Sequence, residues 1–384
     1  MSDRMLIVAA ILSIFVYGMI AAMLGTILPD FSKRFNLSPS QNGRIAMAQA
    51  IGLMIGSFAA GPLMDIYGKK LGVVGGLLLI ALALVGLRGA TGYGSILPMI
   101  FGLGIGGGAL VNGGNALPPD IHLQSLTTPG VYNILNLFFG LGGLLTPLIA
   151  ARLFQNNSAR LLIFAASATA IALVVAGITA MAPPVGQVSF QVSVVTELLS
   201  RPALLLLSAL LFLYVAAEVG VWNWLARHLI AQGLPEKRAL TILSLGFALG
   251  LLVGRVAVSP ILSSVPPEGV LLASAVLMAL TTFLMLQSSN PNVAWLAVFG
   301  AGLAMAPVFP TTLALVNATF TGNLVATATG ITLTAGWLGL VVSSPIIGGI
   351  AGDDPKRLKT ALLLLPVCSV VMAGVVLALR AAAN

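Results

Sequence analysis

The chain has 384 residues, of which 58% are hydrophobic and only 7% charged, and its formal net charge is +8. An ordinary soluble domain is about 25% charged, so this composition excludes a soluble enzyme fold, a disordered segment and, with Cys368 as the single cysteine, a disulfide scaffold. The 18 Lys and Arg are scattered through short connections with no RNA-binding motif and no zinc spacing, so the positive balance does not indicate a nucleic-acid partner.

A helix needs roughly 20 apolar residues to cross the hydrocarbon core. Twelve such runs follow one another, at 5–28, 42–64, 71–88, 96–118, 129–152, 160–181, 202–225, 239–262, 269–287, 293–316, 325–350 and 358–380. The first is too long for the apolar core of a cleavable leader, and no small-residue cleavage site follows, so it is expected to remain as a span. The fourth contains Gly102-Leu-Gly104-Ile-Gly106-Gly107-Gly108, which lacks the strand that a dinucleotide loop requires and reads instead as close helix packing. Pro147, Pro307, Pro310 and Pro345 lie in or near spans and supply kinks. A polar, Pro-containing stretch divides the spans six and six. The expected fold is all-α and membrane-embedded: an N-terminal six-helix bundle over 1–181, a central cytoplasmic loop over 182–201 and a C-terminal six-helix bundle over 202–384.

The halves echo one another. Gly142 and Pro147 of the fifth span recur as Gly339 and Pro345 of the eleventh, at offsets of 197 and 198 residues. Gly61-Pro-Leu-Met-Asp65 at the end of the second span has a counterpart in Gly250-Leu-Leu-Val-Gly254-Arg255 of the eighth. A shared offset near half the chain indicates a duplicated six-helix unit, a transporter design.

The connection after the second span reads Gly61-Pro-Leu63-Met-Asp65-Ile-Tyr-Gly68-Lys69-Lys70. It resembles the G-x-L-x-D-x-x-G-[RK]-[RK] motif of the major facilitator superfamily. Together with the six-plus-six spans, the resemblance extends over nearly the whole chain. It implies two pseudo-symmetric bundles around one site and a cytoplasmic latch of the outward-facing state. The gate would comprise Asp65, Gly68, Lys69 and Lys70, with Arg255 as the counterpart in the second half.

Four further segments resemble the fucose/glucose–galactose/MFSD4-like sugar porters of that superfamily. They are Phe138-Phe139-Gly140-Leu141-Gly142 through Pro147, Tyr214-Val-Ala-Ala-Glu218-Val-Gly-Val-Trp222, Gly254-Arg255, and Ala306-Pro307-Val-Phe309-Pro310-Thr311. Two departures stand out. Proton-symporting members have an acid four residues before the proline of the first span and another four residues before the asparagine of the fourth. Here those positions are Gly25, before Pro29, and Val111, before Asn115.

A permeation path needs polar groups turned to the bundle interior, because lipid-facing ones are expensive. Glu218 is the one carboxylate placed well inside a span. It can accept substrate hydroxyls, carry a coupling proton, or tie two helices together. Trp222 shares its helix face at i, i+4, and an acid beside an indole suits a sugar; a place in the interfacial aromatic belt is the other reading. Asn112 and Asn115, and Gln49, offer donors and acceptors in spans four and two, as Asn133 and Asn136 do in span five. Interhelical bonding is the alternative for each. Phe139, Phe309 and Trp337 are candidate stacking surfaces or plain packing.

The latch places the termini and the central loop in the cytoplasm, and the charge rule disagrees. Arg4, Lys69, Lys70, Arg201, Arg255 and Arg380 fall on that side, six against twelve on the other. The latch is preferred, because it reflects a geometry of the fold and the charge rule is a bias.

No Walker loop is present, and His122 and His228 stand alone without metal spacing. The expected protein is therefore not an enzyme and needs no cofactor. It is a secondary active or facilitative transporter for a small polar solute, a sugar first, with a proton or sodium ion as coupling partner. It is expected as a monomer in the lipid bilayer of a bacterial inner membrane. The alternative is an exporter of amphipathic or cationic drugs or metabolites; a non-transporting membrane sensor or scaffold comes third.

Overall fold

The computed structural model describes residues 2–122, 127–155, 157–183, 192–262, 264–288, 290–320, 324–352 and 355–383. In the first half, the helices are α1 (Ser2–Arg34), α2 (Pro39–Tyr67), α3 (Lys69–Arg88), α4 (Tyr93–Ala116), α5 (Thr128–Arg152), α6 (Ser158–Ile178) and α7 (Val192–Ser200). Those of the second half are α8 (Pro202–Ala231), α9 (Glu236–Thr241), a π-helical segment Ile242–Ala248, α10 (Leu249–Ile261), α11 (Pro267–Gln287), α12 (Pro291–Met305), α13 (Val308–Thr319), α14 (Val325–Ala351), α15 (Pro355–Leu362) and α16 (Leu364–Ala383). Among the described residues, 11 helical stretches are long and apolar enough to cross a membrane, and Ile242–Val258 is a shorter apolar helix.

Three expected spans are broken, each locally. The eighth, read as one run over 239–262, is α9, the π-helical segment and α10 in series. The tenth breaks at Ala306-Pro307 between α12 and α13, because Pro307 has no N–H to continue the ladder. The twelfth breaks at Leu363, where Pro366 cannot donate to the carbonyl of Leu362. The connection 182–201, read as a loop, contains α7; residues 184–191 of it lie outside the described residues.

The chain forms two compact units. One comprises residues 1–198 with 317–334, the other residues 199–316 with 335–384. Helix α14 thus contributes its first ten residues to one unit and the remainder to the other. In the first unit α2 packs on α4, α1 on α5, and α3 on both α4 and α6; in the second α8 and α11 pack on α16, and α10 and α11 on α12.

The duplication is written in glycine contacts. A Cβ on Gly52 would stand 2.4 Å from the carbonyl oxygen of Phe101, and one on Gly250 2.3 Å from that of Phe299. Gly104 meets the carbonyl of Gln49 at 2.4 Å, and Gly302 that of Phe247 at 2.3 Å. Both sets are related by 198 residues. Gly142 meets the carbonyl of Phe15 at 2.3 Å and Gly339 that of Phe212 at 2.4 Å, related by 197. Any side chain at these points forces the helices apart, so the same two helix seams, with three close contacts between them, recur in each unit because only glycine permits them.

Candidate functional site

Glu218 lies midway along α8, and the helix period stacks Tyr214 one turn before it and Trp222 one turn after. The side chains of both hydrogen-bond the Glu218 carboxylate, and Arg255, reaching in from α10, supplies a positive charge beside it. Arg255 is buried, at 6% exposure, while Glu218 is half-buried. The aromatic surround is ordered. Phe247 of the π-helical segment meets the edge of Trp222 with ring centroids 5.1 Å apart, and Phe309 of α13 lies 6.4 Å from Tyr214. A π turn places an extra residue in the helix and is frequent at functional sites; here it holds Phe247 against Trp222. Asn223, on another face of α8, donates to the Ser344 hydroxyl at 2.7 Å. Trp337 is buried in the same unit, at 9% exposure.

The motif residues of the first unit form a separate cluster. The helix runs on through Tyr67, and Gly68 turns the chain into α3 with φ +93°, a left-handed value that favours glycine. Asp65 accepts the backbone N–H of Ala326 at 3.1 Å, the backbone N–H of Thr327 at 2.8 Å and the Thr327 hydroxyl at 2.5 Å. The first N–H groups of a helix have no partner within it, and a carboxylate there is doubly favoured by the helix dipole. Lys69 pairs with Asp120 at 2.7 Å, and Lys70 donates to the carbonyl of Gly177 at 2.6 Å, at the end of α6. The motif therefore ties α2 to α14, and α3 to the ends of α4 and α6. Arg255 has Glu218 and Tyr214 as its charged and polar surroundings.

Asn112 belongs to the same clamp. Its amide donates to the carbonyl of Ser57 at 2.8 Å and to that of Ala326 at 3.3 Å. Gly61 and Gly330 make room for the approach. A Cβ on Gly61 would stand 2.6 Å from the Ala326 carbonyl, and one on Gly330 2.5 Å from that of Ser57. Thr334 closes the row, its hydroxyl 3.4 Å from the carbonyl of Met54.

Three of the other polar candidates of the first unit are turned onto their own helices. Asn115 donates to Val111 and Asn136 to Tyr132, each four residues back, at 2.8 and 2.9 Å. Asn133 does the same to Pro129 at 2.9 Å. The Tyr132 hydroxyl donates to the carbonyl of Asn115 at 2.6 Å, joining α5 to α4. Asn112 and Asn115 are 0% and 1% exposed, and the Oδ1 atom of each is buried without a hydrogen-bond partner. Gln49 is 8% exposed, its amide 3.5 Å from the carbonyl of Ile20. Phe139 stacks on Tyr17 with centroids 5.3 Å apart.

Sequence reasoning did not find one feature of this unit, a cavity of about 680 Å³ between α1 and α5, lined by Gly25, Thr26, Asp30, Lys33 and Gln155 among others. The spacing of Ala22, Thr26, Pro29 and Lys33 places them on one helical face, a signal that was available. Gly25 and Pro29, where a family acid and its proline were sought, both line it.

Residues 10–344 match the family model described as Major Facilitator Superfamily. Among curated relatives, the 4-hydroxybenzoate transporter PcaK of Pseudomonas aeruginosa is 27% identical over 141 residues, 36% of this chain and 32% of that protein. The chain thus spans about a third of that relative's length. Among solved structures, the E. coli fucose:proton symporter FucP superposes with a TM-score of 0.85 at 18% identity, covering 99% of both chains. The proton:xylose symporter XylE superposes with a TM-score of 0.78 at 14% identity, covering 97% of this chain and 94% of that one.

Proposed function

The chain belongs to the Major Facilitator Superfamily, and we propose that this multi-pass membrane transporter carries a small polar solute by alternating access, with a sugar as the first choice. The observation behind this reading is the Tyr214–Glu218–Trp222 row with Arg255 behind it. A carboxylate has about four lone-pair sites. Tyr214 and Trp222 hold it in place with the charge of Arg255 acting on it, and the sites left over are acceptors for solute hydroxyls. The indole of Trp222, 40% exposed, offers a flat apolar face to the C–H side of a sugar ring. The structural neighbours FucP and XylE are a fucose and a xylose symporter, which favours the same choice. Coupling to a proton through Glu218 fits Gly25 and Val111 standing where other members have their acids. We place the protein in a bacterial inner membrane with the Asp65 clamp on the cytoplasmic side, where it would hold one state until it opens.

A second reading has its own support. Arg255 beside Glu218, with Tyr214, Trp222, Phe247 and Phe309 around them, suits a small aromatic hydroxy acid, and the curated relative is a 4-hydroxybenzoate transporter. A cationic drug is the less suitable cargo, because the charge of Glu218 is already offset by Arg255.

Counterflow in proteoliposomes decides among them, with labelled fucose, labelled 4-hydroxybenzoate and a cationic dye presented separately. Sugar exchange that Glu218→Gln slows, without abolishing it, supports the first reading. Exchange of the aromatic acid alone selects the second, and exchange of the dye alone overturns both.

A further inference from the structure

The side of the membrane opposite the Asp65 clamp is strongly basic by sequence topology, and neither the clamp nor the Glu218 row accounts for it. Arg255 belongs with Glu218 in mid-span, which removes it from the connections. The clamp side is then left with Arg4, Lys69, Lys70, Arg201 and Arg380 against Asp3, Asp65, Asp120, Glu197 and Glu268, five against five. The opposite side has twelve basic residues against Asp30, Glu236, Asp353 and Asp354, which is the whole of the formal +8.

Connections of both sequence halves contribute. In the first, Lys33, Arg34, Arg44, Arg88, Arg152 and Arg160 are all exposed, with Asp30 as the acid among them. In the second, the connections after spans seven and eleven supply another six basic residues against three acids. Helix dipoles do not explain the bias. Lys33 and Arg34, Arg88 and Arg152 do sit in the last turns of α1, α3 and α5. The last turns of α2, α4 and α6 point to the other side under the same dipole logic and have no basic residue.

We propose that the net positive charge of this side draws in anions through its long-range field and that the solute of the transporter is a small hydroxylated carboxylate, an inference that rests on the transport reading above and narrows its substrate class. A surface of one sign of charge concentrates counter-ions near it and raises their rate of capture. A neutral sugar gains nothing from such a field, while a monoanion does. The solute then brings two chemistries to the centre: a carboxylate for Arg255 and a hydroxyl for Glu218. The skeleton between them, sugar-like or aromatic, is left to the experiment.

The test is transport by the full chain in phosphatidylcholine vesicles, free of anionic lipid, at low and high ionic strength. The probes are glucose, glucuronate and 4-hydroxybenzoate. The field predicts that KM for the carboxylate that is carried rises about tenfold between about 10 mM and about 300 mM salt, as it is screened. KM for glucose, if it is carried at all, stays flat. Replacing Arg44, Arg152 and Arg160 with Gln removes most of that slope with the maximal rate retained, and replacing them with Lys preserves it. If the Gln variant misfolds, the salt series on the parent protein and the Lys variant still decides. Glucose carried without either carboxylate, or a carboxylate KM indifferent to salt, overturns the inference and leaves the transporter reading standing. A protein that moves none of the three overturns both the inference and the substrate reading beneath it.

Discussion

Asp65 holds the first turn of α14 through Thr327, which donates both its backbone N–H, at 2.8 Å, and its hydroxyl, at 2.5 Å, to one carboxylate oxygen. The other oxygen takes the N–H of Ala326 at 3.1 Å. Three donors on one carboxylate are what a helix start requires when it is held by another helix instead of by its own cap.

Asp65→Asn removes the charge and turns an NH2 group toward one of these donors. Hydrogen bonds to a charged group contribute about 1.5–3 kcal/mol, so amide exchange at Ala326 and Thr327 is expected to speed up about ten- to a hundredfold in the variant. Hydrogen exchange by mass spectrometry over 324–334 reads this. Unchanged protection there means that packing around Gly61 and Gly330, and not the carboxylate, fixes the turn.

Arg255 is buried and lies where its charge acts on the Glu218 carboxylate, so removing either one leaves the other without its counter-charge. Arg255→Gln is therefore expected to lower the melting temperature in detergent substantially. The double variant Arg255→Gln with Glu218→Gln restores much of it, since two neutral amides strand no charge. Additive losses in the double variant show that the two side chains are not coupled.

The helix seams give a test of the duplication. Gly104→Leu and Gly302→Leu place side chains where a Cβ already stands 2.4 and 2.3 Å from a carbonyl oxygen. Both should destabilise strongly and to a similar degree, by thermal denaturation. Gly374, helical and with nothing within 4 Å of its Cβ position, is the control. Gly374→Ala is expected to be neutral or stabilising by up to about 1 kcal/mol. Tolerance at Gly302 with damage at Gly104 would show that the repeated contacts are not equivalent in energy.

Proton coupling through Glu218 has a direct readout. Uptake by the parent protein is expected to depend on external pH, and uptake by Glu218→Gln is expected to be slower and flat. A pH profile that survives in the variant puts the proton on another group, with Asp30 beside the α1–α5 cavity the next to replace.

Much of the architecture was legible in the residues alone. Hydropathy reports which stretches are long and apolar enough for a bilayer, and offsets of 197 and 198 residues between Gly142 and Gly339 and between Pro147 and Pro345 report duplication. The motif from Gly61 to Lys70 indicated the superfamily because its glycines and charges come at fixed spacing. Breaks inside spans were harder. Pro307 and Pro366 announce theirs through the missing N–H, while the π-helical segment 242–248 contains no proline and no other local cue.

What each polar side chain meets was decided only by the tertiary structure. The sequence pairs Gly250–Arg255 with Gly61–Asp65, but the helix seams set Gly250 in the place of Gly52, 198 residues apart, so Arg255 corresponds to Ser57 and acts on Glu218 of α8 instead. Asn112 and Asn115 differ by three residues on one helix, and one ties α4 to Ser57 and Ala326 while the other bonds back to Val111. The physical reason is that composition determines how deep a residue lies along the membrane normal, whereas its azimuth around the helix, and the neighbour found there, depend on close contacts between helices far apart in the chain. Glycine seams such as Gly52–Phe101 set those contacts, and they carry no charge or hydropathy signal of their own.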